Sequence, residues 1–332
     1  MKMRKVYFIG IFLFIFLCGC TEPGSESLKP AVKAGAVFLT VDFERSQKLV
    51  YKFVSSRDIE VLLEDPRGPE KSSTSKYSES IEMVYSYNPV KVSEYSMSII
   101  EAKCESVKVK RSYSAGRGVE AAKKSAGRSF TFEVSPSGKI ESHDEFTGLL
   151  KELGESAFRT NQQGDRIKDP DMLSDITATQ WFLWDSVSSI PRPLEGVVVG
   201  ERWDSRLSIP TPVVTNEVRD VEYSLGEIRQ TEEGSIAVID SSYGFSGGVP
   251  SWPLPYSGRF QQAGPLGIYI RQKITDLKGS GQELFNIDKG RTEKYEQNYE
   301  VNMTASLMIP IVHPKIKIKQ KITMELVDDG RN

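Results

Sequence analysis

The run Gly244-Phe245-Ser246-Gly247-Gly248 sets a serine between glycines in the form that presents a nucleophile, and Asp288 and His313 follow in hydrolase order. That chemistry needs a helix directly after the serine and a parallel sheet behind it. Gly247-Gly248-Val249-Pro250 is a poor helix start, and the flanking strands alternate as antiparallel ones do. A glycine-rich loop accounts for the match, so no catalytic residue is assigned. The two histidines, His143 and His313, stand in unrelated settings without Cys or His partners at zinc spacing. Asp165, Asp169, Asp171 and Asp175 lack the EF-hand order of acids and glycine, and suit the positive end of a helix. Gly116 to Ser125 lacks the glycine beside lysine of a phosphate loop. The expectation is a non-enzyme with no metal and no cofactor.

Cysteine chemistry is more specific. Lys2, Arg4 and Lys5 precede an apolar run from Val6 to Leu17, broken only by Gly10, and a polar stretch from Thr21 to Ser27 follows. This is the order of a signal peptide, and the run is shorter than the roughly 20 residues that span a bilayer. The junction Leu17-Cys18-Gly19-Cys20 resembles the lipobox of bacterial lipoproteins. A small residue before the cysteine lets a signal peptidase approach the Gly19–Cys20 bond, and the thiol accepts a diacylglyceryl group. The resemblance implies residues 1–19 as signal peptide, cleavage between Gly19 and Cys20, and lipid on Cys20 as the contact with the membrane. It also implies a cell-envelope protein facing the periplasm. Thr21 is not the Asp linked with inner-membrane retention, which favours the outer membrane.

Loss of Lys2, Arg4 and Lys5 from a chain of net charge −2 leaves −5, which gives no electrostatic case for nucleic acid. With Cys18 removed and Cys20 acylated, only Cys104 of the three cysteines remains, on one strand face with Ile100 and Ala102 and expected to be buried and inert.

The elements that must position any site come next. Residues 20–36 hold Pro, Ser, Glu and Lys without apolar period and read as a tether. Residues 37–332 read as a β-rich globular domain, with 37–195 and 196–332 as candidate halves. Period-two alternation dominates: Ile316, Ile318, Ile322, Met324 and Leu326 share one face of the last strand, and Lys315, Lys317, Lys319 and Lys321 share the other. That row could meet anionic headgroups or simply be solvated. Two helices are expected. Ser142 and Glu145 have capping-box spacing before Phe146, Leu149, Leu150 and Leu153. Asp169-Pro170 opens a second stripe of Met172, Ile176, Leu183 and Val187. The predicted fold is therefore α+β, mainly antiparallel and curved, with one or two helices on the concave side.

Pro191-Arg192-Pro193 and Val197-Val198-Val199-Gly200-Glu201-Arg202-Trp203 resemble a segment shared by a family of uncharacterised bacterial lipoproteins, a resemblance that implies location and fold but no activity. Trp181, Phe182, Trp184 and Trp203 are a candidate pocket for a lipid or other hydrophobic ligand, with core packing as the plainer reading. Trp252 and Tyr256, in a long Pro- and Gly-rich loop, are a candidate contact for an envelope protein. The functional expectation is a membrane-anchored, non-catalytic lipoprotein that binds a hydrophobic ligand or a protein. A structural or assembly role is the alternative, and a hydrolase comes third.

Overall fold

A computed structural model describes residues 33–43, 47–64, 68, 72–93, 95, 97–112, 121–138, 140–142, 144–155, 158–160, 166–168, 193, 195–208, 218–246, 270–307 and 314–330. Gly19, Cys20, Trp181, Phe182, Trp184, Trp252 and Tyr256 lie outside these residues, as do the second expected helix, both histidines and the aspartates from 165 to 175.

The strands are β1 (Leu49–Leu63), β2 (Ser73–Val92), β3 (Ser98–Arg111), β4 (Ser129–Val134), β5 (Ile140–Ser142), β6 (Phe158–Thr160), β7 (Arg166–Lys168), β8 (Arg202–Ser208), β9 (Val218–Thr231), β10 (Gly234–Ser246), β11 (Ile270–Asn286), β12 (Arg291–Leu307) and β13 (Lys315–Asp328). One α-helix, α1 (Asp144–Glu155), and a 3-10 turn at Ala121–Ser125 accompany them. Eleven strands form a single antiparallel sheet in the order β5-β4-β3-β2-β1-β13-β12-β11-β10-β9-β8, and β6 pairs with β7 alone. The first and last long strands meet at the centre, so each wing is a meander of hairpins running outward from the β1–β13 seam.

The predicted α+β class is wrong. Among the described residues strand makes up 70% and helix 8%, with one α-helix, so the fold is nearly all β. The physical reason is strand length. Polar stretches such as Ser73-Thr74-Ser75-Lys76 show no apolar alternation, yet they pair with β1 and extend β2 to 20 residues. The expected capping box is also replaced. Ser142 ends β5, and the Glu145 carboxylate accepts from the Thr131 N–H of β4 at 2.7 Å, which pins the helix start to the sheet.

Alternation puts one face inside. Tyr51, Phe53, Met83, Tyr85, Ile100, Ile322, Met324, Val301 and Leu225 are buried in one continuous core, and α1 adds Phe146, Leu149, Leu150 and Leu153. The other face is polar. The buried face curls at one end, as two hydrogen bonds show. The Val41 N–H donates to Pro136 in the β4–β5 turn, and the Asp42 N–H donates to Gly290 in the β11–β12 turn. Those turns would be about 24 Å apart on a flat sheet, at five spacings of ~4.8 Å. Adjacent residues reach both, so the sheet wraps and Leu39, Val41 and Phe43 seal the gap. Gly290 must be glycine there: its φ is +59°, and a Cβ would sit 2.6 Å from the Asp42 nitrogen.

Candidate functional site

Direct cross-strand neighbours line up into rows that cross the sheet. On the buried face one row runs Arg111, Glu79, Arg57, Gln320, Tyr299, Gly279 and Tyr243. Its first part is ionic. Arg57 meets Glu79 at 2.5 Å and Arg111 meets it at 3.3 Å, with all three side chains at most 7% exposed. Gln320 then donates to the Ser55 hydroxyl at 3.1 Å. Its last part is aromatic. Tyr243 and Tyr299 come from the strands on either side of β11 and meet above Gly279, ring centres 4.8 Å apart. The Arg219 guanidinium, fully buried, lies 4.7 Å from one ring centre and 4.9 Å from the other and donates to Gln297 at 3.2 Å. Arg219 on β9 reaches Gln297 on β12 only because the sheet bends tightly at Gly279 and Gly281. A Cβ at Gly279 would lie 2.3 Å from the Asn298 carbonyl, and one at Gly281 would lie 2.6 Å from the Glu296 carbonyl.

The polar face is open. A groove of about 830 Å³ crosses six strands, from β3 to β11, and each strand offers two outward side chains. Its floor is short: Ser56, Ser80, Ser280 and Asn298. Lys110, Lys278, Lys319 and Lys321 stand around it with Asp58 and Glu300. The four-lysine row expected on β13 is where alternation put it, but most of it is matched. Lys315 pairs with Glu64 at 2.6 Å, Lys317 with Glu300 at 3.0 Å and Lys321 with Glu296 at 2.7 Å. Lys319 makes no ion pair among the described residues. Hydrogen bonds from Lys321 and Lys317 hold the Glu296 and Glu300 carboxyls below the ordinary carboxylate value.

Of the expected ligand pocket, Trp203 alone lies among the described residues. The preceding turn is built by Gly200 at φ +86°, whose N–H donates to Leu225, and Val197 forms a bridge with Val37. Trp203 sits on β8, partly buried and stacked on Tyr223 at 5.7 Å, and its indole nitrogen is buried without an acceptor among the described residues. Cys104 is buried as expected. Its sulfur lies 3.6 Å from the Ser125 hydroxyl, and burial pushes its thiol pKa up, away from nucleophilic use. Gly244 to Ser246 finish β10 as ordinary strand, where a nucleophile turn would need a bend. Among the described residues, no three metal-ligating side chains gather and no helix is long and apolar enough to cross a membrane.

Sequence reading missed the serine floor and the Arg219 cluster. Serines at alternate positions, as in Ser78-Glu79-Ser80, were the available signal, but their alignment depends on strand register.

No protein-family profile and no curated protein matches the sequence. Among solved structures the chain is similar to lipovitellin, in a study of lipid–protein interactions in that protein, at 9% identity and a TM-score of 0.41; the match covers 86% of this chain and 26% of the lipovitellin chain. OpdQ of Pseudomonas aeruginosa follows at 6% identity and a TM-score of 0.22, covering 85% of this chain and 98% of that one. The β-domain of the Bordetella autotransporter BrkA gives 8% identity and a TM-score of 0.14, covering 82% and 98%.

Proposed function

We propose that this chain is an exported envelope lipoprotein, cleaved after Gly19, acylated on Cys20 and held at the outer membrane, whose sheet is a non-catalytic binding platform. The observation that carries the reading is the open groove on the polar face, floored by short side chains that are fixed by cross-strand register. A surface rigid enough to keep six strands in register is preorganised for a ligand at little ordering cost. The buried ionisable side chains support a scaffold role. Arg57, Glu79 and Arg111 hold one another, and Cys104 is protonated in the core. The Leu17-Cys18-Gly19-Cys20 junction supports the anchor, and the Val197 to Trp203 segment supports the same lipoprotein family. Acyl chains stabilise membrane attachment by about 0.8 kcal/mol per buried methylene, so two or more suffice.

A second reading rests on Trp203. Its stack on Tyr223 and its buried indole N–H, without an acceptor among the described residues, favour a hydrophobic ligand that carries one acceptor oxygen, at the β8 edge of the sheet. Lipid co-purifying with the wild type and absent from Trp203→Ala supports it.

The anchor is tested by substitution. The Cys20→Ser chain should move from the membrane to the soluble fraction and lose the acyl mass, and Cys18→Ser should not. A Cys20→Ser chain that stays in the membrane with unchanged mass overturns the lipid assignment.

A further inference from the structure

We propose that the polar-face groove binds a linear anionic glycan laid across the strands; this rests on the binding-platform reading and names the class of ligand. Register gives the groove its direction. Lys110 stands opposite Ser80, Ser80 opposite Ser56, Ser56 opposite Lys321, Lys321 opposite Asn298, and Asn298 opposite Ser280. Five spacings of ~4.8 Å make that row about 24 Å long. Beyond Ser280 the sheet bends at Gly279 and Gly281 and the face turns acidic with Glu222 and Asp204, so the track ends there. Such a track suits a chain polymer better than a compact metabolite.

Chemistry narrows the polymer. The floor groups are hydroxyls and one amide, each able to donate and to accept, which matches a ligand dense in hydroxyls. Among the outward side chains lining the groove, four are lysines and two are acidic, Asp58 and Glu300. Lys110 and Lys319 make no ion pair among the described residues and are available to carboxylate or phosphate groups.

The alternatives fit less well. A bilayer surface is flat on this scale and cannot follow a groove. A single-stranded nucleic acid would need ring stacking as well as phosphate contacts, and among the described residues no outward aromatic ring lines the floor. An extended peptide wants apolar pockets for alternate side chains, and the floor is serine.

The test uses the full chain purified from membranes in a neutral detergent and titrated calorimetrically with a linear oligogalacturonate. Binding is expected, and it should weaken with added salt. A neutral linear glucan of equal length should bind at least tenfold more weakly. Ser56→Trp, which fills the floor from an exposed position, and Lys319→Glu should each weaken oligogalacturonate binding at least tenfold. Lys91→Glu, an equal charge change outside the groove, should leave it within twofold, with unchanged melting in all three variants. Absence of binding by the wild type overturns the proposal, as does equal loss in Lys91→Glu or none in Ser56→Trp. Vesicles of phosphatidylglycerol that bind at Ser56 while oligogalacturonate does not also overturn it, in favour of a lipid headgroup. Each of these leaves the Cys20→Ser fractionation result untouched, so the anchor and the ligand fail separately.

Discussion

The two wings of the sheet follow the same strand alternation but fill their buried faces in opposite ways. Outward from β1, the wing is an aromatic chain: Tyr51 packs on Tyr87, Tyr87 on Phe132, Phe132 on Phe130, and Phe130 on Phe146 of α1 at 4.9 Å. Outward from β13, glycines remove side chains at the centre, and a fully buried arginine occupies the space between two tyrosine rings. In the first wing a helix covers the sheet over β4. In the second, the backbone bends until β9 and β12 face each other. Curvature therefore comes from what is absent at Gly279 and Gly281, and cover comes from what is added by α1.

The ionic part of the buried row gives the largest expected effect. Glu79→Ala leaves Arg57 and Arg111 without the carboxylate they share, and should cost about 4 kcal/mol in denaturant melts. The triple change of Arg57→Met, Glu79→Leu and Arg111→Met should recover most of that loss, because apolar residues of similar volume carry no desolvation penalty. A triple variant as unstable as Glu79→Ala would mean that the charges do more than hold the first wing together. In the second wing, Gly279→Ala drives a Cβ into the Asn298 backbone carbonyl at 2.3 Å and should cost about 3 kcal/mol. The control is Gly148→Ala in α1. Its Cβ meets nothing within 4 Å, and the exchange should stabilise by about 1 kcal/mol. Equal effects at Gly279 and Gly148 would remove the claim that glycine sets the bend.

What was legible in the sequence was whatever depends on neighbours in the chain. The Ile/Lys division of β13 follows from period two, and so does Cys104 beside Ile100 and Ala102. The apolar stripe of α1 was also a local pattern. The fold class failed because helical stretches show a local period, whereas polar strand ends such as Ser73 to Lys76 carry no alternation to mark them as strand. The candidate groove was not legible at all. Ser56, Ser80 and Ser280 are unremarkable one at a time, and only the pairing of β1 with β2 and β13, and of β12 with β11, puts them on one line. Trp203 was chosen for its type, and its stack on Tyr223 depends on the pairing of β8 with β9.

The smallest expected effect concerns the polar face, where the wings should behave alike. Glu82 bonds Lys108 in the first wing, while Glu296 and Glu300 bond Lys321 and Lys317 in the second, and each of these carboxyls is held below its ordinary value of 4.5 chiefly by its lysine hydrogen bond. A carboxyl whose pKa is lower when folded stabilises above the unfolded value, and that stabilisation disappears as pH falls through the folded one. Melting temperature should therefore be flat between pH 7 and 5, within about 2 °C. It should decline below 4.5, less steeply in Glu82→Gln and in the double variant Glu296→Gln with Glu300→Gln. These pairs are solvent-facing, so salt of about 1 M should flatten the decline in both wings. A decline that salt leaves unchanged would mean that these surface pairs do not carry it.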